Sequence, residues 1–164
     1  MKNYIRNKKT LTLFLSLIFI ILSVLGFHSV GKSITPEDKE YIQNFLIETP
    51  KITKESSYKD ELNFISSVQH STFSIIPNSG SIPPNQKREP KQVYLAKAAG
   101  CQDRSRLLAK ILIYSGFKTR HVAMYSKEKI DSSITAILTP QVKSHAIVEV
   151  LTKEGWLVVD SNYP

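Results

Sequence analysis

Hydrophobic and polar positions divide the chain into stretches of different period. Leu11 to Phe27 is an unbroken run of 17 uncharged residues behind a short basic head holding Lys2, Arg6, Lys8 and Lys9. Downstream the pattern turns helical. Thr35-Pro36-Glu37-Asp38 sets a capping hydroxyl, a proline and two acids in the order that opens a helix. Tyr41, Phe45 and Leu46 supply its apolar stripe, and Pro50 ends it. A second helix is predicted from Tyr58 to His70, with Leu62, Ile65 and Val68 inward. Ser74 to Pro90 reads as a loop punctuated by Pro77, Asn78, Gly80, Pro83, Pro84 and Pro90. Leu107, Leu108, Ile111, Leu112, Ile113 and Tyr114 then mark a well-buried helix, which Gly116 stops from the C′ position. After Gly116 the period changes. Lys118 to Ser126 reads as a strand and Ile134 to Leu138 as a short one. Ser144 to Leu151 and Trp156 to Asp160 form a hairpin around the break Thr152-Lys153-Glu154-Gly155.

Charge changes this picture only at the N-terminus. The net charge is +8, but residues 1–31 carry four basic side chains and no acid, while the rest carries 18 basic and 14 acidic ones. No basic stripe interleaves with aromatics, so nucleic acid is not an expected partner. A basic head before an apolar run directs the rest of the chain out of the cytoplasm. Residues 1–31 are thus expected to be a signal anchor or signal peptide, with one domain over 32–164. The anchor is preferred, because cleavage after Gly26 or Gly31 would lack the Ala-x-Ala form. No cysteine follows the run closely enough for a lipid anchor.

The chain has one cysteine, so an intramolecular disulfide and a multi-cysteine zinc ribbon are both excluded. Cys101 falls at the start of the Leu107–Tyr114 helix, after Gly100, which is expected to turn the backbone sharply into it. Unpaired N–H groups and the positive end of the helix dipole favour a thiolate there. Cys101, Ser105, Leu108 and Leu112 share one helical face. In the hairpin, a four-residue loop sets Leu151 opposite Trp156 and Ile147 opposite Asp160. His145 and Asp160 are then diagonal neighbours on one face, about 7–8 Å apart at the backbone. An odd loop length would put them on opposite faces. The chemistry expected of the three is a Cys101 nucleophile, a His145 base and an Asp160 that orients the imidazole. The Cys101 N–H is one oxyanion donor; the sequence supplies no second.

Gly100-x-x-Asp103 around Cys101, Gly116-Phe117-Lys118-Thr119-Arg120, Ser144-His145-Ala146 and Gly155-Trp156-x-x-x-Asp160 resemble the transglutaminase-like superfamily. The likeness covers Tyr94 to Pro164, together with the Tyr58 helix, with 44 positions from Cys101 to His145 and 15 more to Asp160. It implies an α+β fold with a papain-like core: a Cys-bearing helix packed on a small antiparallel sheet, here preceded by a transmembrane or signal helix. It also implies acyl transfer or amide hydrolysis on a peptide or protein substrate, without a cofactor. Members of the family include cross-linking enzymes, peptidases, amidases and inactive relatives, so a non-catalytic binding module is the alternative. Two departures stand out. The chain stops four residues after Asp160, and Arg104 and Arg106 replace the small apolar residues common after the family cysteine. The two arginines are read as solvated, or else as contacts for an acidic substrate group. A mixed-ligand metal site joining His121 to Cys101, His145 and Asp160 is a third, weaker reading.

Overall fold

The computed structural model describes residues 2–27, 31–77, 79–83, 85–126, 132, 134–135, 139 and 142–162. The backbone divides into two units, Met1–Gly31 and Lys32–Pro164. The first unit is a single helix, α1 (Lys2–Phe27). Its apolar side chains, Leu13, Phe14, Phe19 and Leu22 among them, are exposed. Among the described residues no helix is long and apolar enough to cross a membrane.

The second unit contains α2 (Pro36–Leu46), α3 (Tyr58–Ile75), α4 (Pro90–Ala96) and α5 (Cys101–Tyr114), followed by β1 (Lys118–Tyr125), β2 (Ser144–Thr152) and β3 (Gly155–Val159). The strands form one antiparallel sheet with β2 in the middle. Local chemistry sets the helix starts. Thr35 Oγ1 accepts from the Asp38 N–H while the Asp38 carboxylate accepts from the Thr35 N–H, a capping box at α2. Ser57 and Asp60 make the same reciprocal pair at α3. At the end of α5, Gly116 takes φ 96, and the Gly116 and Phe117 N–H groups donate to Ile113 and Leu112. That is the paired 5→2 and 6→1 pattern of a glycine-terminated helix.

Three expectations need correction. The second helix continues five residues past His70 to Ile75. Its polar last turns look loop-like in sequence, but Thr72 donates to Val68 O and Ser71 to Phe45 O, so the hydroxyls are used on backbone carbonyls. The region before Cys101 holds an unpredicted helix, α4, with Pro90 at its first position and Lys97 at φ 52 after its end. Ile134 and Thr135 are helical rather than extended; Ala136 to Leu138, the rest of that predicted strand, lie outside the described residues.

α5 lies at the centre. Leu107, Leu108, Ala109, Ile111 and Leu112 are all buried, so the helix has no single solvent stripe. It packs on β1 and β2 on one side and on α2, α3 and α4 on the other. Ile42, Phe45, Phe64, Val68, Val93, Val148 and Val150 complete the core. Along β2, Ala146, Val148 and Val150 are buried, whereas Glu149 and Leu151 are more open. Ile147, on the other face, is buried as well, so only the second half of the strand alternates as a sheet with one covered face does.

Candidate active site

Cys101 is the first residue of α5, after Gly100 as N-cap. The first intrahelical bond runs from Arg104 N to Gly100 O at 2.9 Å. The N–H groups of residues 101–103 therefore have no partner within the helix. They and the helix dipole surround the sulfur with positive potential. The role expected of Gly100 changes. Its φ of −76 is open to any residue. What glycine supplies is room, because a Cβ there would lie 3.3 Å from the Gly80 carbonyl oxygen.

The sulfur lies 3.9 Å from the Ser144 carbonyl oxygen. One helical turn on, Ser105 Oγ donates to Ala146 O at 2.6 Å. Four residues of helix advance about 6 Å and two of strand about 6.6 Å, so the starts of α5 and β2 run side by side in step. His145 lies between these two anchor points.

β2 and β3 pair Leu151 with Trp156 and Val148 with Val159, the register expected above. The loop is shorter than expected but still even: Thr152 pairs with Gly155, leaving Lys153 and Glu154 as the turn. Gly155 takes φ 115 there, which a side chain would resist. The diagonal contact follows. His145 Nε2 stands 2.7 Å from Asp160 Oδ2, and both side chains are about one-third exposed, at 31% and 29%. An ionised carboxylate only accepts, so the ring hydrogen belongs on Nε2 and the lone pair on Nδ1. Asp160 lies one residue beyond the last ladder pair. Gln69 Nε2 donates to its backbone carbonyl at 2.6 Å, and the Asn162 N–H donates to its Oδ1 at 2.9 Å.

Arg104 overturns the solvated reading. It is only 4% exposed. It donates to Asn162 Oδ1 and Ile76 O, each at 3.0 Å, and lies over the Phe73 ring. Burial lowers its pKa, while the nearby Cys101 opposes that shift. Arg106 is held by Glu89 at 2.6 Å, and Asp103 is buried beside Arg88 at 3.3 Å. None of these pairs has a fixed sequence spacing, so periodicity gave no sign of them. Ser105 is the exception, since it shared the Cys101 face.

His121 is bonded to the Gln102 backbone, next to Cys101. Desolvation lowers its pKa, a hydrogen bond to the Gln102 backbone opposes this, and the charges of Arg106 and Lys32 add to the lowering. Among the described residues no set of three or more His, Cys, Asp or Glu side chains is arranged to hold a metal ion. The mixed-ligand reading is left without support. Two cavities, of about 560 and 940 Å3, lie elsewhere, one walled by α2 and α3 and the other by the 49–54 segment and Phe117.

The domain is α+β, with a cysteine at the tip of a central helix and a hydrogen-bonded His–Asp pair carried by the sheet and the turn after it. The chain belongs to the transglutaminase-like superfamily, whose signature covers residues 49–161. No curated protein matches it. Two solved structures share the fold. One is a candidate cysteine protease from Cytophaga hutchinsonii, with 14% identity and a TM-score of 0.54 over 80% of this chain and 40% of that one. The other is the periplasmic domain of TgpA from Pseudomonas aeruginosa bound to ethylmercury, with 17% identity and a TM-score of 0.50 over 82% and 46%. The chain thus spans less than half the length of either structure.

Proposed function

We propose that this chain is a thiol enzyme that cleaves or transfers an acyl group at an amide bond of a peptide or protein. Cys101 is the nucleophile, His145 the base and Asp160 the group that orients it. The observation that carries this reading is the 2.7 Å bond from His145 Nε2 to Asp160, beside a cysteine whose sulfur is 3.9 Å from the residue preceding His145. With Nε2 engaged, Nδ1 is the nitrogen left to take the thiol proton.

The reaction then runs as follows. The thiolate attacks the amide carbon, forming a C–S bond, and the oxygen gains the charge, which the Cys101 N–H stabilises. The C–N bond breaks as the His145 imidazolium gives its proton to the departing amine. Water or a second amine loses a proton to His145 and attacks the thioester, and the C–S bond breaks to restore the thiol. No step calls for a metal or cofactor.

Residues 1–31 would place the domain outside the cytoplasm, as a signal anchor or signal peptide. The 17-residue apolar run behind four basic residues supports this placement, at the short end of what spans a bilayer. The TgpA domain that shares the fold is also periplasmic. Incubating the protein with a mixture of peptides and recording its intact mass tests the chemistry. An acyl adduct on Cys101 that hydroxylamine removes, and that Cys101→Ala lacks, is the expected result. Absence of any adduct or peptide turnover, with Cys101→Ala retaining the full biological activity of the wild type, would instead select a binding module.

A further inference from the structure

We infer that Arg104, Ser105 and Asn162 are positioning residues that lock the turn bearing Asp160 onto the helix bearing Cys101. Through Asp160 they fix which nitrogen of His145 is offered to the thiol. The inference rests on the triad proposed above.

Strand pairing does not hold Asp160, because the ladder ends at Val148–Val159. The two following residues are each tied to consecutive residues of α5. Ser161 Oγ is 2.9 Å from Ser105 Oγ, and Asn162 Oδ1 accepts from Arg104 Nη1 at 3.0 Å. Ser105 also donates to the Ala146 carbonyl, next to His145. One hydroxyl therefore meets the cysteine helix, the histidine strand and the aspartate turn. All three contacts are sheltered: Ser105 is fully buried, Ser161 is 3% exposed and Arg104 is 4% exposed. From Arg104 the connection runs without a break. Asn162 Oδ1 takes the guanidinium, the Asn162 N–H donates to Asp160 Oδ1, and Asp160 Oδ2 meets His145 Nε2. A carboxylate whose two oxygens are separately engaged cannot rotate to release the ring without breaking a bond. Arg104 anchors the far end of this connection, since it also holds the Ile76 carbonyl after α3.

Asn162→Ala removes the acceptor for Arg104 from a half-buried turn without disturbing the core; Arg104→Met removes the donor. Asn162→Asp keeps the acceptor oxygen and the backbone N–H. Two readouts on the full chain separate positioning from stability: the nitrogen-15 spectrum of His145, and the pH dependence of Cys101 alkylation by iodoacetamide. In the wild type the ring proton should reside on Nε2. In Asn162→Ala it should distribute over both nitrogens, and alkylation at pH 6 should slow roughly tenfold. Asn162→Asp should restore both signals. If Asn162→Ala and Arg104→Met fold and keep the wild-type tautomer and profile, the inference is wrong. If His145→Ala itself leaves the alkylation profile unchanged, the triad fails instead.

Discussion

A carboxylate just past the end of a strand has free torsions and no ladder bond, so its direction must come from neighbours. Here that need is met by Asn162, Gln69 and the residues behind them. Burial works differently at His121. Its environment disfavours the charged ring, first by desolvation and then by the positive charges of Arg106 and Lys32, against the Gln102 bond that favours it. The folded protein then binds the proton less readily than the unfolded chain does. Stability from this residue is complete above the ordinary histidine value of 6.5 and falls as the pH drops from there toward the lowered folded value. His121→Gln should flatten the fall in melting temperature between pH 7.5 and 5, and an unchanged slope would refute this account. The same residue scale shows the limits of reading the sequence. The helix-start position of Cys101 and the contact between His145 and Asp160 were legible because helix start, strand register and loop parity are local rules. The burial of Arg104 was not, because its partners Ile76 and Asn162 come from distant segments.

Between elements, an ionic cluster joins α2, the start of α4 and α5. Lys110 Nζ, 2% exposed, lies 2.9 Å from Asp38 and 2.5 Å from Glu89, which also holds Arg106. Glu89 is the N-cap position of α4, so the cluster ties the segment just before the cysteine to the cysteine helix. Lys110→Met leaves Asp38 buried without its cation and should destabilise the protein by about 3–5 kcal/mol in urea unfolding. Loss under 1 kcal/mol would show that the cluster is incidental. Desolvation raises the Asp38 pKa, but the Thr35 N–H and Lys110 more than offset it, so the net shift is downward. The stability Asp38 contributes is present above 3.8 and is lost as the pH falls below that through the lowered folded value. Lys110→Met should therefore unfold at a higher pH than the wild type during acid titration. This cluster, like α4, escaped the sequence reading. Lys110 occupies a position of α5 that faces neighbouring helices, and nothing in a helical period distinguishes a buried lysine from a solvated one.

For the whole molecule, the core domain brings two chemistries together across one helix. α5 is buried along most of its length, yet its first residue reaches the start of β2, where the sheet has lost its third strand. On the sheet face that carries His145, Ile147 is buried, and the face opens only beyond it, at Glu149, Leu151 and Trp156, with Arg120 stacked 3.8 Å from the Trp156 ring. Most helices and strands were legible from their periods, and the fold class from the family resemblance of the motifs they carry. The details that make the site rigid were not, since they depend on which side chains of distant segments share the buried space around α5.

The central claim is that the Cys101 thiol and the His145 ring act as one acid–base unit. The most direct test is the rate of Cys101 alkylation by iodoacetamide as a function of pH, in the wild type and in His145→Ala. The wild-type thiol should react rapidly on the acidic side of neutrality, and His145→Ala should remove that reactivity. Identical pH–rate profiles in the two proteins would contradict the claim.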